Sequence, residues 1–180
     1  LVSLKKELKI EGKKIITCIS RLIPEKGISE LYKASNQFSE DVHFFWIGSV
    51  DSDNPSEISQ LKNTNNFTFL GKRSDIFNLL AITDIFILPT YYREGVPRAI
   101  LEAMAMKIPI VTTNTPGCNR TVENGVNGFL INPRSSDEIA DKIKKLLAMD
   151  LNVMGDESRK IVEKRFSSKI VFSRIKEQYI

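Results

Sequence analysis

The sequence predicts an α/β fold in which a parallel six-stranded sheet is doubly wound and carries helices on both faces. Six short apolar runs alternate with segments of helical periodicity along nearly all of the 180 residues. Strands that are separated by helices connect through right-handed crossovers, which produce a mostly parallel sheet. The runs are apolar without alternation, as is typical of strands buried on both faces. The length and the 42% apolar content suit a single domain with a sizeable core, so we treat residues 1–180 as one domain.

Each element is predicted from its own stretch of sequence. The predicted strands cover residues 14–20, 42–48, 67–70, 84–89, 108–113 and 128–131. The predicted helices cover residues 28 to about 38, a segment ending near 63, about 74–80, a segment starting near 97, and residues 136–149, 152–165 and 168–179. Ser74 is a candidate N-cap because its hydroxyl can accept a hydrogen bond from the first helical turn. Ligands of such sheets bind outside the carboxyl ends of the strands, so the segments that follow the strands are the candidate site.

Composition excludes several functional classes. No run reaches the eighteen apolar residues of a membrane span and the N-terminus lacks a signal-peptide pattern, so we expect a cytoplasmic chain. The absence of an initial methionine suggests a piece of a longer protein. The net charge of +4 is not concentrated in a nucleic-acid-binding stripe. Cys18 and Cys118 lack metal-type spacing and are expected to be reduced, and no metal site is predicted. His43 lies within a strand and is expected to be structural.

The segment from Glu94 to Ala105 stands out because it follows a buried strand and places two carboxylates around a helix N-terminus. Pro97 suits the first helical position, and the helix after it is apolar nearly all round, which indicates burial. Glu102 would then be a buried carboxylate that needs hydrogen-bond donors. Either Arg98 supplies them as an i,i+4 ion pair, or Glu102 accepts hydrogen bonds from ligand hydroxyls while the N–H groups after Gly95 face an anion.

Glu94 and Glu102, with seven residues between them, resemble the E-x7-E motif of group 1 (family 4) retaining nucleotide-sugar glycosyltransferases. The whole string from Glu94 to Ala105 is similar to the motif of this family. The resemblance implies that Glu94 is catalytic and contacts the sugar near its reacting carbon, and that Glu102 binds the ribose hydroxyls. It also implies donor-binding positions at Gly95, Val96, Pro97 and Arg98.

The loop after the first strand carries two cations, Arg21 and Lys26. Two solvated surface charges are the simpler interpretation. However, the segment from Ser20 to Gly27 resembles the R-L-x-x-x-K-G element of the same family, in which the arginine and the lysine bind the donor diphosphate. A guanidinium and an ammonium suit a pyrophosphate leaving group, because negative charge accumulates on its oxygens as the glycosidic bond breaks.

The loops after the second and third strands are predicted to border the nucleobase. Gly48 and Gly71 permit close approach of a ligand or a neighbouring backbone. By resemblance to the family, Lys72 and Arg73 are candidates to flank a uracil, although surface charge is an equal alternative for both side chains.

The segment from Pro116 to Gly128 resembles a loop of bacterial transferases that build lipid-linked and capsular glycans. It departs from that pattern at Asn119, where arginine is usual, and at Arg120, where an acid is usual. Lys107 also replaces a common glycine.

Taken together, the resemblance implies a Rossmann-like domain, the C-terminal half of a two-domain GT-B enzyme. Such an enzyme would transfer a sugar with retention, from a UDP-sugar or related nucleotide sugar to a glycan or lipid-linked acceptor, without a metal or other cofactor. The acceptor domain would lie N-terminal in the same chain, so the present chain alone is expected to be inactive. A lipid-linked acceptor would bring peripheral membrane association, and no nucleic-acid partner is expected. The alternative is a non-catalytic nucleotide-binding or assembly module that works with a partner chain.

Overall fold

The fold is a parallel sheet of six strands, as the sequence predicts. The computed structural model describes residues 1–50, 61–93 and 95–179. Within these residues the strands are β1 (Lys14–Ile19), β2 (Val42–Ile47), β3 (Phe67–Gly71), β4 (Ile85–Leu88), β5 (Ile110–Thr113) and β6 (Gly128–Ile131). They lie in the order β3-β2-β1-β4-β5-β6, and every described pair of neighbours is parallel. The chain therefore switches direction across the sheet between β1 and β4, where doubly wound folds bind their ligands.

Helices cover both faces of the sheet. They are α1 (Val2–Glu7), α2 (Ile28–Ser35), α3 (Ile76–Leu80), α4 (Arg98–Ala105), α5 (Ser136–Leu147), α6 (Leu151–Phe166) and α7 (Ser168–Tyr179), with short 3₁₀ turns at Pro24–Lys26 and Cys118–Arg120. On β1, Ile16 packs into the larger apolar core, whereas the neighbouring Ile15 packs into a smaller one with residues of β2 and α3. This alternation confirms that the strand is buried on both faces.

The structure corrects several predicted boundaries. The helix after Gly27 ends at Ser35, and α1 was not predicted. Ser74 is not a cap, because α3 begins at Ile76 and its N-cap is Asp75, which makes no side-chain capping hydrogen bond. Pro97 is the N-cap of α4 and not its first helical residue.

The predicted helix that ends near residue 63 falls largely on residues 51–60, which lie outside the described residues. Residues 61–64 carry no regular secondary structure.

Among the described residues, no helix combines the length and the apolar character needed to cross a membrane. Cys18 and Cys118 are both buried, and neither forms a disulfide. Burial raises the pKa of the Cys18 thiol, although a hydrogen bond with Ser20 and the charge of Lys26 oppose this shift. The thiol therefore remains protonated at neutral pH.

His43, the single histidine of the chain, is a structural residue of β2. Its side chain is buried, and its Nε2 lies 2.9 Å from the Thr68 hydroxyl. Burial lowers the pKa of His43 from 6.5 to about 4, and the nearby Lys13 ammonium contributes in the same direction. The fold therefore holds this imidazole in its neutral form.

We expect His43 to make the protein less stable as the pH falls from 7 to 5, by about 2 kcal/mol. Below pH 6.5 the unfolded chain binds a proton at His43, which the folded protein does not bind until about pH 4. Protonation thus favours the unfolded state over this range. Replacing His43 with glutamine removes the titrating group, and urea denaturation of both proteins at the two pH values measures its contribution. An equal loss of stability in both proteins would contradict this account.

Candidate active site

An open cavity of about 190 Å³ lies where the chain switches direction, at the carboxyl ends of β1 and β4. Its walls come from the end of β1 and the loop after it, from the end of β4, and from the first turn of α4. The lining residues are Ile19, Ser20, Arg21, Lys26, Leu88, Pro97, Arg98 and Ala99. The fold thereby brings four of the predicted donor-binding residues together at one place, although they come from segments far apart in the sequence.

The loop after β1 supplies two of the cations. Arg21 is exposed at the rim, whereas Lys26 ends the 3₁₀ turn and has only 9% of its surface exposed. The Lys26 ammonium lies 5.2 Å from the centroid of the Tyr92 ring, on the loop after β4. A lysine so nearly buried is uncommon and requires favourable electrostatic contacts.

The N-terminus of α4 forms the opposite wall. Pro97 is buried with an extended backbone, and its carbonyl oxygen accepts hydrogen bonds from the N–H groups of Ile100 and Leu101. The first N–H groups of a helix have no partner inside the helix and can donate to an anion. Gly95 is exposed and Val96 half-buried, just before this turn. Glu94, predicted to be catalytic, lies outside the described residues.

Glu102 is not buried, which corrects one expectation from the sequence. Its side chain is 37% exposed, and its Oε1 lies 3.9 Å from Arg98 Nη2. The helix is apolar nearly all round, but the sheet and α6 cover only one side of it, which contains Ile100, Ala103 and Met104. The ion pair with Arg98 is therefore present, but it is long, and the arginine is 91% exposed. Such surface pairs contribute little stability, and both interpretations of Glu102 stay predictions.

The carboxyl ends of β2 and β3 are joined through two glycines, Gly48 just after β2 and Gly71 as the last residue of β3. The Gly48 N–H donates to the Gly71 carbonyl at 2.9 Å. A Cβ atom on Gly48 would lie 1.8 Å from the carbonyl oxygen of Ser20, at the end of β1, so no larger residue fits. These contacts bring the predicted base-binding loops beside the loop of Arg21.

Lys72 and Arg73, the predicted nucleobase neighbours, differ in their surroundings. Lys72 is exposed. Arg73 donates two hydrogen bonds to Asp75, at 2.8 and 2.7 Å, and these bonds lower the pKa of the Asp75 carboxyl. The Arg73–Asp75 pair lines a second cavity of about 300 Å³ between α1 and α3, away from Lys26. A nucleobase role for Arg73 stays a prediction.

The two residues that depart from the family pattern lie in the 3₁₀ turn after β5. The Asn119 side-chain amide donates to the Asn114 side chain at 3.2 Å, and Arg120 is exposed.

Within the described residues, no group of His, Cys, Asp and Glu side chains is arranged to hold a metal ion.

Two residues that connect the loops of the site, Thr90 and Tyr92, are absent from the site predicted from the sequence. Thr90 is fully buried just after β4, and its hydroxyl donates to the carbonyl oxygen of Glu25 at 3.0 Å. The aromatic ring of Tyr92 lies against the Lys26 ammonium group. The position of both residues after a buried strand was the available signal, but threonine and tyrosine are common in loops.

The doubly wound sheet with a cationic cavity at its switch point is a Rossmann-like α/β architecture, as expected for the GT-B class of glycosyltransferases. Residues 3–165 match the family model for glycosyl transferases group 1. The chain belongs to this family, as the resemblance indicated.

Among its relatives is the N,N'-diacetylbacillosaminyl-diphospho-undecaprenol alpha-1,3-N-acetylgalactosaminyltransferase of Campylobacter jejuni, 35% identical over 79% of this chain and 38% of that protein. Another is the capsular polysaccharide biosynthesis glycosyltransferase CapM of Staphylococcus aureus, 31% identical over 92% of this chain and 45% of CapM. Among solved structures, Anabaena Alr3699/HepE in complex with UDP superposes with a TM-score of 0.89 at 29% identity, over 98% of this chain and 51% of that one.

The chain thus spans about half the length of these relatives or less. Their names belong to proteins about twice as long as this chain.

Proposed function

We propose that this chain is the donor-binding domain of a retaining glycosyltransferase, and that it binds a UDP-sugar in the cavity between β1, β4 and α4. One observation carries the proposal: Arg21, Lys26 and the N-terminus of α4 converge on a single cavity at the switch point of the sheet. Two cations and a helix N-terminus suit a diphosphate, whose charge they neutralise from two sides.

The diphosphate is the leaving group of the proposed reaction. As the bond to the sugar breaks, negative charge grows on the phosphate oxygens, and cations already in place stabilise that charge more than they stabilise the ground state. We propose on this ground that the transfer needs no bound metal. Glu102, on the second turn of α4, would accept hydrogen bonds from the ribose hydroxyls. Glu94 would stabilise positive charge on the reacting sugar.

The choice of donor and acceptor is supported by the relatives. HepE was crystallised with UDP and, in a further structure at 28% identity, with UDP-glucose. The names of the bacterial relatives describe a diphospho-undecaprenol acceptor and capsular polysaccharide biosynthesis. We propose a glycan or lipid-linked acceptor, an acceptor domain N-terminal in the same chain, and peripheral association with the membrane that carries the acceptor.

Replacing Glu102 with glutamine tests the ribose contact. We expect UDP and uridine to bind about fivefold more weakly to this variant, since both contain the ribose and a hydrogen bond from a ribose hydroxyl to a half-exposed carboxylate contributes about 1 kcal/mol. Titration calorimetry or ligand-observed NMR measures both affinities. The proposed donor also predicts that GDP binds the unchanged chain more weakly than UDP.

Glu163→Gln is the matched control, because Glu163 on α6 also forms an i,i+4 ion pair, with Arg159. It should leave both affinities unchanged. Wild-type affinities in the Glu102 variant would favour a role in the Arg98 ion pair alone, and tighter binding of GDP than UDP would overturn the proposed donor.

A further inference from the structure

Thr90 connects the loops after β1 and β4. It has no exposed surface, and its hydroxyl donates to the Glu25 carbonyl at 3.0 Å and accepts from the Tyr92 N–H at 3.2 Å. Its own carbonyl oxygen accepts a hydrogen bond from the hydroxyl of Thr113, at the end of β5. Thr90 thus links the loop after β1, the loop after β4 and the end of β5 through one side chain and one carbonyl group.

The segment around Thr90 contacts the two residues that precede and follow Lys26 in the chain. The Glu25 carbonyl, just before Lys26, also accepts hydrogen bonds from the N–H groups of Tyr91, at 2.9 Å, and Tyr92, at 3.2 Å. Gly27, just after Lys26, packs directly against the carbonyl group of Pro89. The backbone of Lys26 is therefore placed by the 89–92 segment, and the Tyr92 ring contacts its ammonium group.

We propose that Thr90 is a positioning residue for diphosphate binding, acting through Lys26. This inference rests on the proposed function. Thr90 does not line the cavity, so its hydroxyl cannot itself be the phosphate ligand. A cation on a loop that is already fixed loses less conformational freedom when the anion binds, and affinity rises accordingly.

The test is Thr90→Val, which keeps the shape of the side chain and removes the hydroxyl. We expect UDP to bind at least about threefold more weakly, and uridine, which lacks phosphate, to bind as before. In a Lys26→Ala background the same substitution should have no further effect on UDP, because residues that act through one another are not additive. Thr90→Ser, which retains the hydroxyl, should keep the wild-type affinity.

Thr112→Val is the matched control. Thr112 is also fully buried and its hydroxyl donates to a β4 carbonyl, that of Leu88, at 2.8 Å, but it does not reach the loop of Lys26. This substitution should lower the free energy of unfolding without changing the affinity for UDP. If Thr90→Val does not fold, Thr113→Val, which releases the Thr90 carbonyl, should show the same selective loss.

Two results would overturn the inference alone: unchanged UDP affinity in Thr90→Val, or a loss that adds fully to that of Lys26→Ala. A wild-type chain that binds UDP no more tightly than uridine would instead overturn the proposed function, and this inference with it.

Discussion

Replacing Gly27 with alanine is expected to lower the free energy of unfolding by about 3 kcal/mol or more. Gly27 has a φ of 77°, which costs an L-residue about 1–2 kcal/mol. The added Cβ would also lie 2.2 Å from the carbonyl oxygen of Pro89, a backbone atom at the end of β4 that cannot rotate away. Relieving this overlap must separate the loop of Lys26 from β4. Urea denaturation measures the loss.

Gly12→Ala separates the backbone cost of a positive φ from the cost of the overlap with Pro89. Gly12 has nearly the same φ, 75°, but a Cβ there would have no neighbour within 4 Å. We expect only the backbone cost of about 1–2 kcal/mol. Equal losses in the two variants would show that the contact with Pro89 adjusts without cost, and would contradict the close packing inferred for these loops.

Replacing Lys26 with alanine is expected to weaken UDP binding by about 10- to 150-fold and to leave uridine binding unchanged. The range corresponds to the roughly 1.5–3 kcal/mol of a hydrogen bond between charged groups. Burial strengthens the expectation, since only 9% of the Lys26 surface is exposed and charges with little exposure to solvent are weakly screened. Titration calorimetry with both ligands gives the two affinities.

The control for Lys26→Ala is Lys160→Ala, which removes an equal charge from the exposed face of α6, where Lys160 pairs with Glu157. It should not affect UDP beyond a small general electrostatic effect. Equal losses of affinity for UDP and for uridine in the Lys26 variant would show that this cation does not contact the diphosphate.

The fold was predictable because its signals are local and redundant. Each strand is a short apolar run between polar or glycine-containing turns, and most of the segments between strands have helical periodicity. Alternation of strands and helices then restricts the topology to a parallel sheet. The cavity was predictable in part for the same reason: Arg21, Lys26 and Pro97 all follow strands whose carboxyl ends must share one edge.

The errors have a common physical origin, which is that the environment of a residue depends on what packs against it or pairs with it in the folded chain. Glu102 lies in an apolar string, but the sheet covers only one side of α4. Ser74 is a good capping residue, but Asp75 stands at the N-cap, with its carboxylate paired to Arg73. Thr90 and Tyr92 could not be identified because their importance lies in contacts with a segment more than sixty residues away.

The central claim is that the diphosphate lies between the loop after β1 and the first turn of α4. Chemical-shift mapping of the isotope-labelled chain with UDP, and with uridine as reference, tests it most directly. We expect the amides of Arg21, Lys26 and Ala99 to shift with UDP and to remain in place with uridine. Shifts common to both ligands, or UDP shifts confined to the second cavity at Arg73 and Asn78, would contradict it.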